Sequence, residues 1–139
     1  SLGRYFGSML GKRLKESDPF KDIDVIIPVP LHPFKKWKRG YNQGNVIAKA
    51  IGKGLGIPVL NEDLVRTTFT STQTTKDPLH RWKNVEKAFR LRRGDRIKGC
   101  HILLVDDVLT TGATLEACGT ALLKAHGCMV SVSTLAFVE

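Results

Sequence analysis

The chain has 139 residues, of which 42% are apolar and 25% charged, a composition that is typical of a soluble folded domain and excludes a disordered or fibrous polypeptide. It holds 22 Lys and Arg against 13 Asp and Glu, so its net charge is +9 and its surface favours anionic partners such as phosphates, pyrophosphate esters or nucleic acid. No apolar run reaches the roughly 18 residues of a membrane span, and the first residues lack a secretory signal. We therefore expect a cytoplasmic protein with no membrane partner.

The three cysteines are odd in number and never spaced as Cys-x-x-Cys. Such a set builds neither a disulfide framework nor a zinc ribbon. We expect Cys100, Cys118 and Cys128 to be reduced and mostly buried, where they pack as small apolar side chains.

The first half of the chain alternates helical and strand patterns. Apolar residues at helical spacing predict a helix over residues 2–14. A β-branched run stopped by two prolines, residues 24–30, predicts a strand covered on both faces. An apolar stripe that ends in glycines predicts a helix over residues 44–55. Two shorter runs, 57–60 and 64–67, are further strand candidates.

The middle of the chain is less regular. Residues 61–63 predict a turn between the two short strands. Residues 67–78 are rich in Thr and Ser and hold almost no large apolar side chain, so they predict a mobile functional loop. A short helix is predicted over residues 80–88, and Phe89 begins an extended segment that leads to a turn at 93–95.

The last third repeats the strand and helix pattern. Residues 101–105 predict a second fully buried strand, residues 114–126 a helix that Gly127 ends, and residues 129–138 a last strand. Strands that alternate with helices at these lengths predict an α/β fold with a doubly wound, mostly parallel sheet flanked by helices. Ligands of such sheets bind beyond the carboxyl ends of the strands, so the loops after the two buried strands are the places to expect a site.

The segment after the second buried strand joins an acidic pair to a hydroxyl-rich turn. Asp106 and Asp107 follow the apolar run, and residues 110–114 then open a helix. Threonine hydroxyls, close backbone approach at Gly112 and the N–H groups of the helix start form a cup for a phosphate monoester. Two carboxylates would repel that phosphate, so we expect them to accept hydrogen bonds from nearby neutral hydroxyls, such as those of a ribose. The segment therefore predicts a sugar-phosphate site.

Two basic clusters each allow two interpretations. The loop after the first strand, residues 30–43, is strongly cationic, and Arg39 with backbone N–H groups near Gly40 would stabilise the charge of a leaving pyrophosphate. A basic solvated loop explains the same residues about equally well. The cluster at residues 90–93 is likewise either a phosphate site or a solvated loop.

Residues 102–114 resemble the phosphoribosyl-pyrophosphate signature of type I phosphoribosyltransferases: an apolar strand, two acids, an apolar residue, then Thr-Thr-Gly-x-Thr. The resemblance implies that Asp106 and Asp107 bind the ribose 2- and 3-hydroxyls. It also implies an Mg²⁺ ion on the pyrophosphate, held mainly through the ligand and water and not by a dedicated protein cage. The implied 5-phosphate site consists of Thr110, Thr111, Gly112, Ala113 and Thr114.

Further segments look like the ComF/GntX branch of that family, whose members are often labelled amidophosphoribosyltransferase-like. They are residues 28–33, the segment 39–43, and the later Gln73, Arg81 and Asn84. The candidates for a pyrophosphate loop are Arg39, Gly40, Tyr41, Asn42 and Gln43, and those for a closing loop are Gln73, Lys76 and Arg81. Members of the branch commonly begin with a Cys-rich zinc ribbon, and this chain departs from the pattern because it has no such cysteine pair. The resemblance covers nearly the whole chain. At 139 residues the chain is the size of one domain, so we expect a single domain over residues 1–139.

Two functional hypotheses follow. Under the first, the chain is an enzyme that binds phosphoribosyl pyrophosphate (PRPP) and Mg²⁺ between the two loops and transfers the phosphoribosyl group to an acceptor that the residues do not identify. Under the second, it is a non-catalytic module that senses PRPP or nucleotide. The resemblance to the ComF/GntX branch, whose members are tied to natural transformation, then implies that the basic surface engages single-stranded DNA or proteins of the natural-competence machinery. A homodimer is compatible with both.

Overall fold

A computed structural model of the chain describes residues 22–31, 43–67, 88–109 and 112–137. The elements in chain order are β1 (Val25–Pro28), α1 (Gln43–Leu55), β2 (Leu64–Arg66), β3 (Phe89–Leu91), a 3₁₀ helix (Gly94–Ile97), β4 (His101–Leu109), α2 (Ala113–Leu122) and β5 (Met129–Phe137). In these four ranges no helix has the length and apolarity needed to cross a membrane.

The main sheet is parallel, and β4 lies at its centre between β1 and β5. Residues 58–60 run along the other side of β1, since the Ile26 N–H donates to the carbonyl of Pro58 (3.0 Å) and the Leu60 N–H donates to the carbonyl of Ile26 (2.9 Å). A single parallel bridge joins Ile26 to Val59 there. After β1 the chain adds residues 58–60 on one side of that strand, and it later adds β4 on the other side. The direction of winding reverses between β1 and β4.

That reversal places the helices on opposite faces of the sheet, because crossovers between parallel strands keep one hand. Side chains of β1 and β4 alternate between the two faces. One face packs against α1 through Ile26, Leu103, Val105, Ile47 and Ile51, all of them fully buried. The other packs against α2 through Val25, Ile27, Ile102, Leu104, Leu115, Cys118 and Leu122. The predicted doubly wound parallel sheet flanked by helices is confirmed.

A small hairpin covers the α2 side of this core. The strands β2 and β3 pair antiparallel, with Leu64 opposite Leu91 and Arg66 opposite Phe89. Leu64 and Phe89 are 2% and 4% exposed and belong to the cluster around α2. Each such buried side chain contributes about 1.5–3 kcal/mol to folding, so the hairpin is fixed to the domain by its apolar face.

Two predicted bounds are wrong. The sequence predicts that the central strand ends before Asp106, but β4 continues to Leu109 because the residues beyond Val105 keep their parallel pairing with β5. The helix predicted over residues 114–126 ends at Leu122. Beyond it the chain winds more tightly, with the Ala125 N–H bonded to the Leu122 carbonyl three residues back (3.0 Å), and this winding ends the α-helix.

The positions of the other predicted elements are confirmed, although their lengths are not always as predicted. The strand at 24–30, the helix at 44–55 and the strand at 129–138 all form. The strand candidate at 57–60 makes only one bridge, and the turn at 93–95 begins a 3₁₀ helix.

Several expectations fall outside the described residues. They are the helix over residues 2–14, almost all of the loop over 67–78, and the helix over 80–88 except its last residue. That residues 1–139 form one domain stays a prediction.

Candidate functional site

The acidic pair lies at the carboxyl end of the buried part of the central strand. Asp106 and Asp107 are the first residues of β4 beyond the fully buried run from Ile102 to Val105. The N–H of Val29, where the chain leaves β1, donates to the Val105 carbonyl at 2.8 Å. The pair therefore lies where the winding of the sheet reverses, and open parallel sheets bind their ligands at such a reversal.

The two carboxyl groups are half-buried and influence one another. The N–H of Asp107 donates to Asp106 Oδ1 at 2.8 Å. The pKa of Asp106 is raised from 3.8 to about 6, chiefly by burial and then by the side chain of Asp107, whereas the Asp107 N–H and the charge of Arg66 oppose the rise. Hydrogen bonds donated to a carboxylate favour its ionised form. A ligand with neutral hydroxyls at this position would therefore relieve part of the cost of holding Asp106 ionised.

Arg66 is a residue of this site that the sequence did not indicate. It is the last residue of β2, and its guanidinium carbon lies 5.1 Å from the centre of the Phe89 ring. Its positive charge favours the ionised forms of Asp106 and of the buried Cys118 thiol and so lowers the pKa of both groups, although burial raises the pKa of Cys118 overall. No sequence pattern relates Arg66 to Asp106, because the hairpin is not part of the main sheet.

The start of α2 follows the acidic pair closely along the chain. Gly112 is the N-cap residue with φ of 80°, a left-handed conformation that favours glycine, and the Glu116 N–H donates to its carbonyl at 2.9 Å. Ala113 and Thr114 form the first turn and are half-buried. The positive end of the helix dipole lies here and favours an anion. Thr110 and Thr111 lie outside the described residues.

The predicted pyrophosphate loop is described only at its last residue. Gln43 is half-buried and begins α1. Because each helix connects two parallel strands, α1 and α2 both begin at the carboxyl edge of the sheet, so Gln43 lies on the same edge as Asp106. The candidates Arg39, Gly40, Tyr41 and Asn42 lie outside the described residues, and so do Gln73, Lys76 and Arg81. Their roles stay predictions.

The carboxylate oxygens at the carboxyl edge of the sheet suit a hard cation that arrives bound to a ligand. Mg²⁺ takes oxygen ligands, keeps several waters, and binds through one or two carboxylates together with phosphates of the ligand. Asp106 and Asp107 supply two such carboxylates. In the described ranges, no group of three or more His, Cys, Asp or Glu side chains is placed to hold a metal.

Comparison with known proteins relates the whole arrangement to one family. The chain matches the model of the phosphoribosyl transferase domain over residues 38–139. It is 37% identical over 111 residues to Competence protein F of Haemophilus influenzae, covering 79% of this chain and 48% of that protein. It is 35% identical over 109 residues to the DNA utilization protein YhgH of Escherichia coli O157:H7, covering 78% and 47%. The chain thus spans about half the length of these relatives.

A solved structure shares the fold. The glutamine phosphoribosylpyrophosphate amidotransferase from B. subtilis superposes with a TM-score of 0.61 at 22% identity, over 93% of this chain and 26% of that one. At this identity the likeness concerns the fold alone. It agrees with the doubly wound sheet described above.

Proposed function

The chain belongs to the phosphoribosyl transferase domain family, in its ComF-like branch, and from this premise we propose that it binds PRPP with Mg²⁺ and transfers the phosphoribosyl group to an acceptor. The observation that carries the proposal is the position of Asp106 and Asp107. They lie at the carboxyl end of the buried part of β4, where the winding reverses, and Gly112 and the start of α2 follow them. The proposal includes a cytoplasmic location, in keeping with three free cysteines.

The sugar would be held by the acidic pair. Two ribose hydroxyls donate hydrogen bonds to the carboxylates of Asp106 and Asp107, and these bonds stabilise the ionised form of Asp106 against its burial. In the transfer, the bond from the anomeric carbon to the pyrophosphate oxygen breaks and its electron pair leaves with the pyrophosphate. The nearby carboxylates would stabilise the positive charge that develops on the sugar. The acceptor then bonds to the anomeric carbon and loses its proton.

The phosphate groups would be held on either side of the sugar. The 5-phosphate contacts the first turn of α2 from Gly112 to Thr114, where helix N–H groups and the helix dipole favour an anion. When bound, Mg²⁺ supplies positive charge to the pyrophosphate, and Asp106 and Asp107 would hold it through its retained waters. Residues 39–43 stay the candidates for the pyrophosphate contact.

A second candidate function is a non-catalytic DNA-handling module. The relatives named above are called a competence protein and a DNA utilization protein. The net charge of +9 would favour contact with a polyanion. Under this alternative the PRPP site senses a ligand and no transfer occurs.

The decisive experiment is a calorimetric titration of PRPP with Mg²⁺ into the wild-type chain and an Asp106→Asn/Asp107→Asn variant of verified folding. We expect saturable binding that weakens at least about 100-fold in the variant, since charge-assisted hydrogen bonds contribute about 1.5–3 kcal/mol each. The matched control is Asp22→Asn/Asp95→Asn, which removes two exposed carboxylates that precede β1 and β4 and should bind like wild type. Equal binding by both variants, or no heat at millimolar PRPP, would contradict the proposal.

Turnover separates the two functions. Release of pyrophosphate that depends on an added base, amine or amide would establish transfer. Salt-sensitive binding of single-stranded DNA that persists in the Asp106→Asn/Asp107→Asn variant, without such release, would favour the module.

A further inference from the structure

A polar cavity lies at the end of the β2–β3 hairpin where β2 begins and β3 ends. Its volume is about 130 Å³, and it is lined by Glu62, Asp63, Arg92, Arg93 and Arg96. A single water needs only about 10–15 Å³ by the same measure. The cavity is therefore roomy enough for a group the size of a phosphate ester.

Asp63, one of the lining residues, has a buried hydrogen-bond acceptor that lacks a partner. Asp63 is 2% exposed, and its Oδ1 lies 3.4 Å from Arg96 Nη1. Its Oδ2 is buried and makes no hydrogen bond within the part of the chain that the structure describes. An unsatisfied buried polar group costs about 1–3 kcal/mol, so a ligand that donates a hydrogen bond to Oδ2 would recover part of that cost.

The backbone holds the arginines in place around this acceptor. The Arg92 N–H donates to the Asp63 carbonyl at 2.7 Å, directly across the hairpin. Arg93 precedes the 3₁₀ helix, which the fully buried Ile97 anchors in the core. Gly94 packs closely under the hairpin, since a Cβ there would lie 3.2 Å from Leu91 Cδ2. The cavity is therefore built by ordered backbone, although its arginine side chains are exposed.

The charges of the lining select the ligand. Arg92 and Arg93 are exposed at the cavity and suit a phosphate, which guanidinium groups bind through charge-assisted hydrogen bonds. The carboxylates of Glu62 and Asp63 repel a bare anion, but a carboxylate accepts a hydrogen bond from a neutral donor. The ligand must therefore carry an N–H or O–H group beside its phosphate.

This cavity is distinct from the site at Asp106. Arg66, whose charge acts on Asp106, is the last residue of β2. Asp63 immediately precedes Leu64, the first residue of that strand. Three residues of strand span about 10 Å, so Asp63 and Arg66 lie at opposite ends of β2, and the cavity lining includes neither Asp106 nor Asp107.

We propose that the cavity binds a nucleotide unit, with its phosphate on Arg92 and Arg93 and an N–H or O–H group of its base or sugar on Asp63 Oδ2. A cytosine amino group is a suitable donor, since carboxylates accept from it in nucleic-acid complexes. The same chemistry is offered by a free nucleotide and by one unit of a single strand. The basic cluster at residues 90–93 is thereby interpreted as a phosphate site and not as a solvated loop.

The test measures two probes on the same chain: cytidine monophosphate by calorimetry, and a labelled single-stranded oligodeoxycytidine by fluorescence anisotropy. An Arg92→Gln/Arg93→Gln variant should bind the responding probe at least about tenfold more weakly, because it cannot form the charge-assisted hydrogen bonds. For the oligonucleotide, the slope of log affinity against log salt should fall by roughly 0.7 for each phosphate that the variant no longer neutralises. The matched control is Arg90→Gln/Lys98→Gln, which removes the same charge from exposed residues outside the cavity lining and should bind like wild type.

The outcomes are separable. Saturation by cytidine monophosphate identifies a free nucleotide as the ligand, and binding of the oligonucleotide alone identifies a strand. Equal weakening in both double variants would overturn the proposal in favour of diffuse surface charge, and so would no binding of either probe. Sulfate has no hydrogen-bond donor for Asp63. If sulfate displaced the probe as effectively as a nucleotide does, the proposed role of Asp63 would be overturned. Cytidine monophosphate carries a ribose 5-phosphate, which the proposed PRPP site would also hold, so both probes are measured in the Asp106→Asn/Asp107→Asn background. Binding at this cavity should persist there, which keeps the test independent of the PRPP proposal.

Discussion

Asp63 and Asp106 are both withdrawn from water, but their immediate neighbours differ. Asp63 is 2% exposed and contacts a cation, Arg96, at 3.4 Å. Asp106 lies beside a second acid, Asp107, and its pKa is raised to about 6. A carboxylate paired with a cation supports the fold, whereas one held beside another acid costs stability and is typical of a functional site. Asp63 thus has a cation for Oδ1 even before the proposed ligand reaches Oδ2, whereas Asp106 has an acid beside it.

The largest expected effect is at the ion pair between the buried Asp63 and the exposed Arg96. Arg96→Gln should lower the free energy of unfolding by about 2–4 kcal/mol, because it leaves the Asp63 carboxylate buried without its cation. Chemical denaturation measures this change. The control Arg90→Gln alters an exposed residue of β3 and should stay within about 0.5 kcal/mol of wild type. Equal stability of the two variants would mean that Asp63 does not depend on Arg96.

The opposite sign is expected at the acidic pair. Asp106→Asn should raise the free energy of unfolding by about 1–2 kcal/mol near pH 7.5, a value reduced because the group is only half-buried. Its pKa in the folded chain, about 6, exceeds the ordinary 3.8, so wild type loses stability as pH rises through this interval. The variant lacks that loss, and its advantage should vanish as pH falls towards 4. Denaturation at the two pH values tests this prediction, with Asp22→Asn as the exposed control. A pH-independent difference would contradict it.

A smaller effect is expected at the helix start that follows the acidic pair. Gly112→Ala should lower the free energy of unfolding by about 1 kcal/mol, because φ is 80° there and an alanine Cβ is strained in that conformation. Gly119→Ala makes the same change inside α2, where a Cβ meets nothing within 4 Å, and should stabilise the chain by about 0.5–1 kcal/mol. Thermal denaturation compares the two variants. The same sign for both would refute the argument from conformation.

The smallest effect is electrostatic. Arg66→Gln should raise the pKa of Asp106 further, because the guanidinium charge now opposes the rise. Removing the cation–π interaction with the Phe89 ring should cost only about 0.5–1 kcal/mol. NMR titration of the Asp106 carboxyl measures the pKa, and Arg66→Lys, which keeps the charge, should change it less. An unchanged pKa of Asp106 in Arg66→Gln would mean that the charge of Arg66 does not act on Asp106.

Local pattern determined much of the fold. The run at 24–30 and the stripe at 44–55 form β1 and α1, because β-branched runs between prolines and helical stripes ended by glycine are local signals. The acidic pair followed by Gly112 was also visible in the residues alone, since a strand, a turn and a helix start are contiguous along the chain. The alternation of strands and helices then predicted the doubly wound sheet, which the fold and the family both confirm.

The tertiary structure decided what depends on partners distant in the chain. β4 extends to Leu109 because β5 pairs with it, and such pairing leaves no mark in the strand's own sequence. Residues 61–63 predict only a turn, yet Asp63 is buried because the hairpin folds its neighbour Leu64 against α2 and brings Arg96 beside it. Arg66 likewise acts on Asp106 across the fold. Burial and charge pairing are properties of packed surfaces, so the sequence supplied the groups and only the packing determined which of them meet.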